Sequence, residues 1–404
     1  MRQQILLTFF IVSLPQFSLA AVNHGVLVLA PIFTSAAGLP PESVGLIGGM
    51  VGLGAVWCFA ANKSILPFLG PIRALIAGCM MASFALLGFA LEKEWAGLLS
   101  GLLVGFGYAI TAPAGSQILA KNTPKRLWGT LFSLRMAGVP AGGALAGIIG
   151  ASIAANFDWR LALLALIVPS LGSAMFLFFS RSQLKFCSPT NGFSLFGIFN
   201  PKIFISPFQT LRQVPSLGLI TFVSVGFAAV QGSVFTFFTT YLVDVHGYSI
   251  GFAGALYASL QIASVFGRIL AGLLADFFKS TLMVLMLLGF FSAGGVGILA
   301  FIDAYSNEAL LFIQSSLIGL MVASWNGLFL AEVSIVAKNK DISEATAAST
   351  FFTFISYMLA PPIFGALVYT FDYFFAFFVI GVVVLTSAIT LFLFLILKKE
   401  RRPV

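Results

Sequence analysis

Long apolar stretches, separated by short groups of charged, proline and glycine residues, dominate the chain. Cutting at those groups leaves twelve segments, each with the roughly 20 residues that a helix needs to cross about 30 Å of hydrocarbon. Strands of a membrane barrel would alternate apolar and polar residues, whereas these segments are apolar at both odd and even positions. We therefore predict an all-α polytopic membrane protein with twelve transmembrane helices. These spans, numbered 1 to 12 in chain order, are predicted at residues 5–33, 42–61, 73–91, 95–119, 128–152, 159–180, 216–243, 250–274, 281–302, 308–334, 346–370 and 373–397.

The composition agrees with this pattern and excludes most soluble classes. Hydrophobic residues make up 59% of the 404 residues and charged residues only 8%, which is far more apolar surface than a soluble core of this size can bury. The net charge of +8 would suggest an anionic partner in a soluble chain. In a membrane protein it must first be tested against topology.

The basic residues fall on one side of the predicted membrane. With the N-terminus inside, the inner loops, the tails and the inner ends of the spans hold 18 of the 21 Lys and Arg residues, the outer loops hold Lys93 and Arg160, and Arg135 lies deeper within span 5. This bias follows the positive-inside rule and predicts that both termini are cytoplasmic. The net charge is thus explained by topology, and no nucleic-acid partner is indicated.

The first apolar run has two interpretations. Arg2, the apolar residues 5–14 and a small-residue site at Ala20 have the layout of a secretory signal peptide. However, the apolar run continues to Phe33, so cleavage after Ala20 would fall inside a spanning helix. We favour a retained first span.

The longest inner loop divides the chain into an N-terminal half, 1–180, a cytoplasmic connector, 181–215, and a C-terminal half, 216–404. The connector contains the apolar run "FSLFGIFNPKIFISPF", which predicts a surface-lying segment in the headgroup region. The two halves contain similar sequence motifs. "GALAG" at 143 follows a proline and precedes "FDW" at 157, and "GALVY" at 365 follows a proline and precedes "FDY" at 371. Twelve helices with internal repeats indicate a secondary transporter that works by alternating access.

Three motifs resemble the major facilitator superfamily. "GRILAGLLADFFK" at 267–279 is similar to its loop 8–9 signature, "SLRMAGVPAGGALAG" at 133–147 to the Gly-Pro motif of its fifth helix, and "FDWRLAL" to the start of its sixth. The resemblance covers the whole chain in helix count and loop sizes. It implies that fold and a protein that acts in the bilayer as a monomer.

Two departures from the family pattern weaken particular activities. The N-terminal copy of the loop signature, "NKSILPFLGPIR", has Pro67 where the family usually has an aspartate. Gly101 stands where the family often has an arginine that is tied to proton-coupled drug and sugar transport.

The resemblance assigns roles to two groups of residues. At the loop 8–9 signature, Asp276 could accept hydrogen bonds from Arg268 or from backbone amides and so hold one state of the cycle; an ordinary topogenic charge pair is the alternative. In span 5, closely spaced small residues allow helices to approach, and a proline bends the helix. The predicted gating residues are Arg268, Gly272, Asp276 and Lys279, and the predicted packing residues are Gly138, Pro140, Gly142, Gly143 and Gly147.

Arg135 is the strongest candidate for substrate binding. It lies about 13 Å from the inner end of span 5 at about 1.5 Å per residue, where a cation costs about 2.5 to 3.5 kcal/mol. No embedded acid is an obvious partner, so Arg135 either snorkels or pairs with Glu332 or carbonyls, or it binds a substrate anion. A planar guanidinium suits a carboxylate.

Other polar residues within the spans could line the same cavity, although each singly is more often a helix–helix hydrogen bond. Helices 1, 4, 7 and 10 line the cavity in the family that this chain resembles. The further candidates for substrate binding are Gln16, Asn23, His24, Tyr108, Gln231, Tyr257, Gln261, Trp325 and Asn326.

No enzyme is predicted, because the chain has no nucleophile triad, HExxH or Walker motif. The three cysteines form no CxxC, so neither a metal nor another cofactor is expected. Energy must then come from a gradient; a co-transported ion, for which His24 is the candidate proton carrier, uniport and exchange all stay open. We expect transport of a small, carboxylate-like organic anion across a bacterial-type inner membrane. The alternatives are efflux of lipophilic compounds and a non-transporting receptor or scaffold.

Overall fold

A computed structural model describes residues 2–124, 131, 134–181, 204–214, 216–300, 307–337 and 342–400. Within these ranges, twelve helical segments are long and apolar enough to cross a membrane, which confirms the predicted count. Most of the connector, 182–203, lies outside the described residues. No strand occurs in the described part of the chain, so the all-α fold is also confirmed.

Nine spans are single helices in the described chain, and three contain a break. The single helices are Arg2–Ala36, Val44–Leu69, Pro71–Leu87, Trp159–Ser180, Leu217–Asp244, Ile250–Phe278, Thr281–Ala300, Ile342–Thr370 and Tyr373–Glu400, for spans 1, 2, 3, 6, 7, 8, 9, 11 and 12. Span 4 comprises Glu94–Ala109 and Thr111–Asn122. Span 5 extends over Leu134–Asn156 and comprises helical residues 134–136, the helix Gly138–Leu145, a π-helical turn Ala146–Gly150, and Ala151–Asn156. Span 10 comprises Glu308–Val322 and Asn326–Ala337.

The break in span 4 has a local cause. Pro113 has no N–H, so the carbonyl of Ala109 loses its usual partner four residues along, and the first helix ends at Ala109. Span 10 is interrupted at 323–325, where the sequence is Ala-Ser-Trp and contains neither proline nor glycine. Its interruption therefore requires a tertiary explanation.

The chain forms two compact units. The first comprises Met1–Pro41, Met50–Ile203 and Ser249–Ala258. The second comprises Glu42–Gly49, Phe204–Tyr248 and Ser259–Val404. The first residues of span 8 therefore belong to the first unit, and the first residues of span 2 belong to the second unit.

In the first unit, span 1 packs against spans 5 and 6, and span 3 packs against spans 4 and 6. Gly142 allows spans 1 and 5 to approach closely, because a Cβ there would meet the carbonyl oxygen of Phe17 and lie 2.7 Å from the nitrogen of Ala21. A Cβ at Gly147 would come similarly close to the carbonyl oxygen of Gly254, at 2.5 Å. Spans 1, 3, 4 and 6 share a buried apolar cluster of Ile11, Val12, Ile72, Leu75, Ala114, Ile118, Leu119 and Leu177.

In the second unit, span 7 packs against spans 11 and 12, and span 9 packs against span 12. Spans 7 and 11 are joined by buried hydroxyl pairs, Thr221 with Ser349 at 2.8 Å and Ser224 with Thr353 at 2.9 Å. The short helix Ser206–Gln213 packs on span 11 through Phe208. The two hydroxyl pairs link spans 7 and 11, and hydrogen bonds of this kind across membrane helices contribute about 0.6 kcal/mol each on average.

Candidate functional site

Arg135, near the start of the described part of span 5, is buried in the first unit with 1% of its surface exposed. Its Nε and Nη2 both donate to Gln16 Oε1 of span 1, at 3.3 and 3.2 Å. Nη1 donates to Ser116 Oγ of span 4 at 3.2 Å. Nη2 also donates to the carbonyls of Thr111 and Ala112, at 3.3 and 3.4 Å. Acceptors from two spans, 1 and 4, therefore hold the guanidinium of span 5.

The acceptors around Arg135 in the described chain are all neutral. Within the described part of its unit, no carboxylate forms an ion pair with it, since the ion pairs there join Arg160 to Glu92 and Asp158. Nη1 donates to Ser116 alone, so one of its two hydrogens has no acceptor among those residues. The arrangement solvates a positive charge with dipoles but does not neutralise it.

Two residues that the sequence reasoning missed complete this environment. Ser116 Oγ accepts from Arg135 and donates to the carbonyl of Ala112 at 2.7 Å, so hydroxyl, carbonyl and guanidinium form a closed ring. Gly115 lies beside the guanidinium, and a Cβ there would be 3.0 Å from Nη1. Pro113, which ends the first helix of span 4 just before these residues, is the only local signal that could have indicated them.

His24 and Tyr257, both in the first unit, form a buried polar pair. His24 Nδ1 lies 2.7 Å from the Tyr257 hydroxyl, and the two side chains are 4% and 0% exposed. Asn23, which precedes His24 in span 1, is half-buried, and its Oδ1 has no partner among the described residues. The structure thus brings His24 together with Tyr257, and Gln16 together with Arg135.

A second polar cluster lies in the second unit, where three candidates from spans 7 and 10 meet. Trp325 Nε1 and Asn326 Nδ2 both donate to Gln231 Oε1, at 2.9 and 3.3 Å. Trp325 is fully buried and stacks on Phe227 with ring centroids 5.5 Å apart. The shared acceptor makes Gln231 the centre of this group, which we call the Gln231 cluster.

For two further predicted binding residues, the described hydrogen bonds involve their backbone carbonyls. Tyr108 is half-buried in span 4, and its carbonyl accepts from the Thr111 hydroxyl at 2.7 Å. Gln261, in span 8, is buried, and its carbonyl accepts from Ser264 Oγ at 2.7 Å. Within the described chain, no group of His, Cys, Asp and Glu residues could hold a metal ion.

Residues 5–337 match the family model described as Major Facilitator Superfamily. The chain belongs to the major facilitator superfamily. It is 24% identical over 368 residues to an uncharacterized MFS-type transporter of Mycobacterium tuberculosis (strain CDC 1551), covering 87% of this chain and 76% of the relative. A second such transporter of the same species (strain H37Rv) is 23% identical over the same shares.

Solved transporter structures share this fold. A POT family transporter in complex with 5-aminolevulinic acid superposes with a TM-score of 0.79 at 11% identity, covering 97% of this chain and 96% of the other. The nucleoside transporter NupG superposes with a TM-score of 0.73 at 13% identity, covering 96% and 99%. Together, the family model, the transporter relatives and the twelve apolar spans show that the protein is an MFS-type transporter and a multi-pass membrane protein.

The loop 8–9 signature of this MFS transporter does not pair Arg268 with Asp276. Arg268 Nε donates to the carbonyl of Ala323 in span 10 at 3.2 Å, whereas Asp276 is exposed near the end of span 8, and no ion pair joins the two. Gly272 has open space around it, and Lys279 has a left-handed backbone with φ 51°. A gating role for Asp276 stays a prediction.

Proposed function

We propose that the protein is a secondary transporter of small organic anions, and that Arg135 binds the carboxylate of the substrate. The observation that carries this proposal is a fully buried guanidinium inside a span whose described partners are all neutral. The candidate residues of the first unit provide the anion subsite, with Gln16 beside the arginine.

Charge balance supports an anionic ligand. A cation at the centre of a span costs about 2.5 to 3.5 kcal/mol even on the lenient insertion scale, and neutral acceptors recover only part of this cost. The described carboxylates of the first unit, Glu92, Glu94 and Asp158, lie between spans or at the first residue of one. A substrate carboxylate would supply the missing negative charge.

The geometry of the guanidinium supports the same ligand. Nε and Nη2 form the edge of the planar fork that matches the two oxygens of a carboxylate. In the structure both atoms donate to the single oxygen Gln16 Oε1. A carboxylate can therefore replace one neutral acceptor with two charged ones, while Ser116 and the two carbonyls keep the arginine in place.

The structural neighbours are consistent with this proposal but do not select a substrate. Of the two solved structures compared above, one is in complex with 5-aminolevulinic acid and the other is a nucleoside transporter. Both are below 25% identity, so the similarity supports the fold, and the anion proposal rests on Arg135. Efflux of lipophilic compounds is the alternative that a negative result would favour.

The proposed cycle uses the halves 1–180 and 216–404, joined by the connector 181–215, in alternating access. We place the protein in a bacterial inner membrane with both termini in the cytoplasm. The strong excess of basic residues in the predicted inner loops and the mycobacterial relatives support this placement.

Uptake into proteoliposomes tests the role of Arg135. A panel of radiolabelled mono- and dicarboxylates should include at least one transported compound. Arg135→Gln should raise its KM roughly tenfold to a hundredfold, because a hydrogen bond to a charged group is worth about 1.5 to 3 kcal/mol, and Arg135→Lys should fall between.

The control is Arg181→Gln, which removes an exposed arginine at the end of span 6 and should leave uptake unchanged. Size-exclusion chromatography of each variant confirms that it is folded. Absence of uptake for the whole panel, or wild-type kinetics in Arg135→Gln, would refute the proposal.

A further inference from the structure

The interruption of span 10 at 323–325 is built by contacts from other spans. Its three residues carry no helix-breaking side chain, and Ala323 leaves the helical conformation with φ −109° and ψ 3°. In an unbroken helix the carbonyls of Met321 and Ala323 would accept from the N–H groups of Trp325 and Gly327. Such freed carbonyls inside a membrane protein need other donors.

Side chains from spans 8 and 9 supply those donors. Ser292 Oγ donates to the carbonyl of Met321 at 2.8 Å. Arg268 Nε donates to the carbonyl of Ala323 at 3.2 Å, and this hydrogen bond is charge-assisted. One neutral and one charged donor therefore replace two lost backbone hydrogen bonds.

The backbones of spans 8 and 10 are also in close contact around the interruption. A Cβ at Gly267 would lie 2.9 Å from the carbonyl oxygen of Leu320 and would meet Ser324 Oγ. A Cβ at Gly319 would meet the carbonyl oxygen of Leu260. Because Gly267 directly precedes Arg268, its lack of a side chain brings the guanidinium within reach of the freed carbonyl.

The interruption decides where two side chains of the Gln231 cluster lie. Trp325 is the last non-helical residue, and Asn326 begins the second helix of span 10. Both donate to Gln231 Oε1. Successive residues of a helix point about 100° apart around its axis, since a turn has 3.6 residues. Winding residues 323–325 into the helix would therefore change the directions in which the Trp325 and Asn326 side chains point.

We propose that Arg268 and Ser292 are positioning residues, which hold span 10 unwound at 323–325 and so present Trp325 and Asn326 to Gln231. Arg268 acts here through the carbonyl of Ala323. The role does not depend on the anion subsite at Arg135, and it concerns the order of the Gln231 cluster in the absence of any substrate.

Fluorine NMR of the full-length protein in lipid nanodiscs tests this proposal. The chain has five tryptophans, so labelling with 5-fluorotryptophan gives five resonances, and Trp325→Phe identifies the one from Trp325. Arg268→Met and Ser292→Ala should each move or split the Trp325 resonance by more than its linewidth, and the double variant should do so most. The other four resonances should keep their positions.

Two matched controls remove similar groups elsewhere in the second unit. Arg212→Met removes an exposed arginine from the helix Ser206–Gln213, and Ser334→Ala removes a hydroxyl that donates to the carbonyl of Leu330 in span 10 at 2.9 Å. Both should leave the Trp325 resonance in place. Should Arg268→Met fail to insert, Arg268→Lys, which keeps the charge without the guanidinium fork, replaces it.

Two results would overturn the proposal. In the first, the Trp325 resonance of the Arg268 and Ser292 double variant stays within one linewidth of wild type. In the second, all five resonances move together, which would indicate a general structural role. The outcome is independent of substrate identity, so a failure here is distinguishable from a failure of the anion proposal.

Discussion

Gly115 shows how one missing side chain shapes the surroundings of Arg135. Glycine within a helix is about 1 kcal/mol less favourable than alanine, so its use in span 4 needs a reason. The reason is space, because a Cβ at this position would lie 3.0 Å from Nη1 and 3.1 Å from Cζ of Arg135. A Cβ at this position would require the guanidinium to shift by a few tenths of an ångström.

Gly115→Ala should therefore displace the guanidinium by a few tenths of an ångström and raise the KM for the transported carboxylate severalfold. Gly172→Ala is the matched control, since Gly172 lies in span 6 of the same unit and a Cβ there would have no described atom within 4 Å. Uptake kinetics check the first effect. Thermal unfolding in detergent should show that Gly172→Ala is neutral or stabilised by up to about 1 kcal/mol. Equal KM values for the two variants would contradict the role given to Gly115.

At the scale of elements, the close approach of spans 1 and 5 depends more on Gly142 than on Gly138. Gly138 and Gly142 are one turn apart in the helix Gly138–Leu145. A Cβ at Gly138 would make ordinary contacts, the nearest at 3.4 Å from the nitrogen of Phe17. At Gly142 the same atom would collide with the backbone of span 1 and lie 2.8 Å from the Cβ of Ala20. Rigid backbone cannot yield as a flexible side chain does.

Gly142→Ala should destabilise the protein by about 1 to 3 kcal/mol, the usual cost of overpacking. Gly138→Ala should be neutral or slightly stabilising, because the gain in helix propensity meets no clash. Thermal unfolding of the two purified variants in the same detergent measures the difference. Equal melting temperatures would show that spans 1 and 5 separate at little cost.

At the scale of the whole molecule, charge and apolar length act together. Twelve spans return the chain to the side on which it started, and the predicted inner loops then hold nearly all the basic residues. The turn before span 6 is held by a local hydrogen bond, because the Asp158 carboxylate accepts from the backbone N–H of Arg160 at 2.8 Å, which lowers the pKa of Asp158. Arg160 also pairs with Glu92.

Reporter fusions after Val404 test the proposed orientation. A fluorescent protein that matures only in the cytoplasm should be bright there, while a phosphatase that is active only outside should be silent. N-terminal sequencing of the purified protein should begin at or near Met1, as expected for a retained first span. A sequence that begins at Ala21 would show that the first apolar run is cleaved.

The sequence by itself determined the class, the twelve spans and the position of Arg135 within span 5. Apolar length is a local property, and a bilayer of fixed thickness converts it directly into spanning helices. The family motifs at 133–147 and 267–279 are also local, so the superfamily could be recognised before any contact was known.

Only the tertiary structure decided which groups meet. Gln16 reaches Arg135 across 119 residues of sequence, and Arg268 reaches the carbonyl of Ala323 across 55. The interruption of span 10 depends on side chains from spans 8 and 9, which donate to its freed carbonyls. The local sequence at 323–325 does not contain those donors. Hydrogen-bond partners inside a membrane protein are set by which helices pack together, and that packing depends on the whole chain at once.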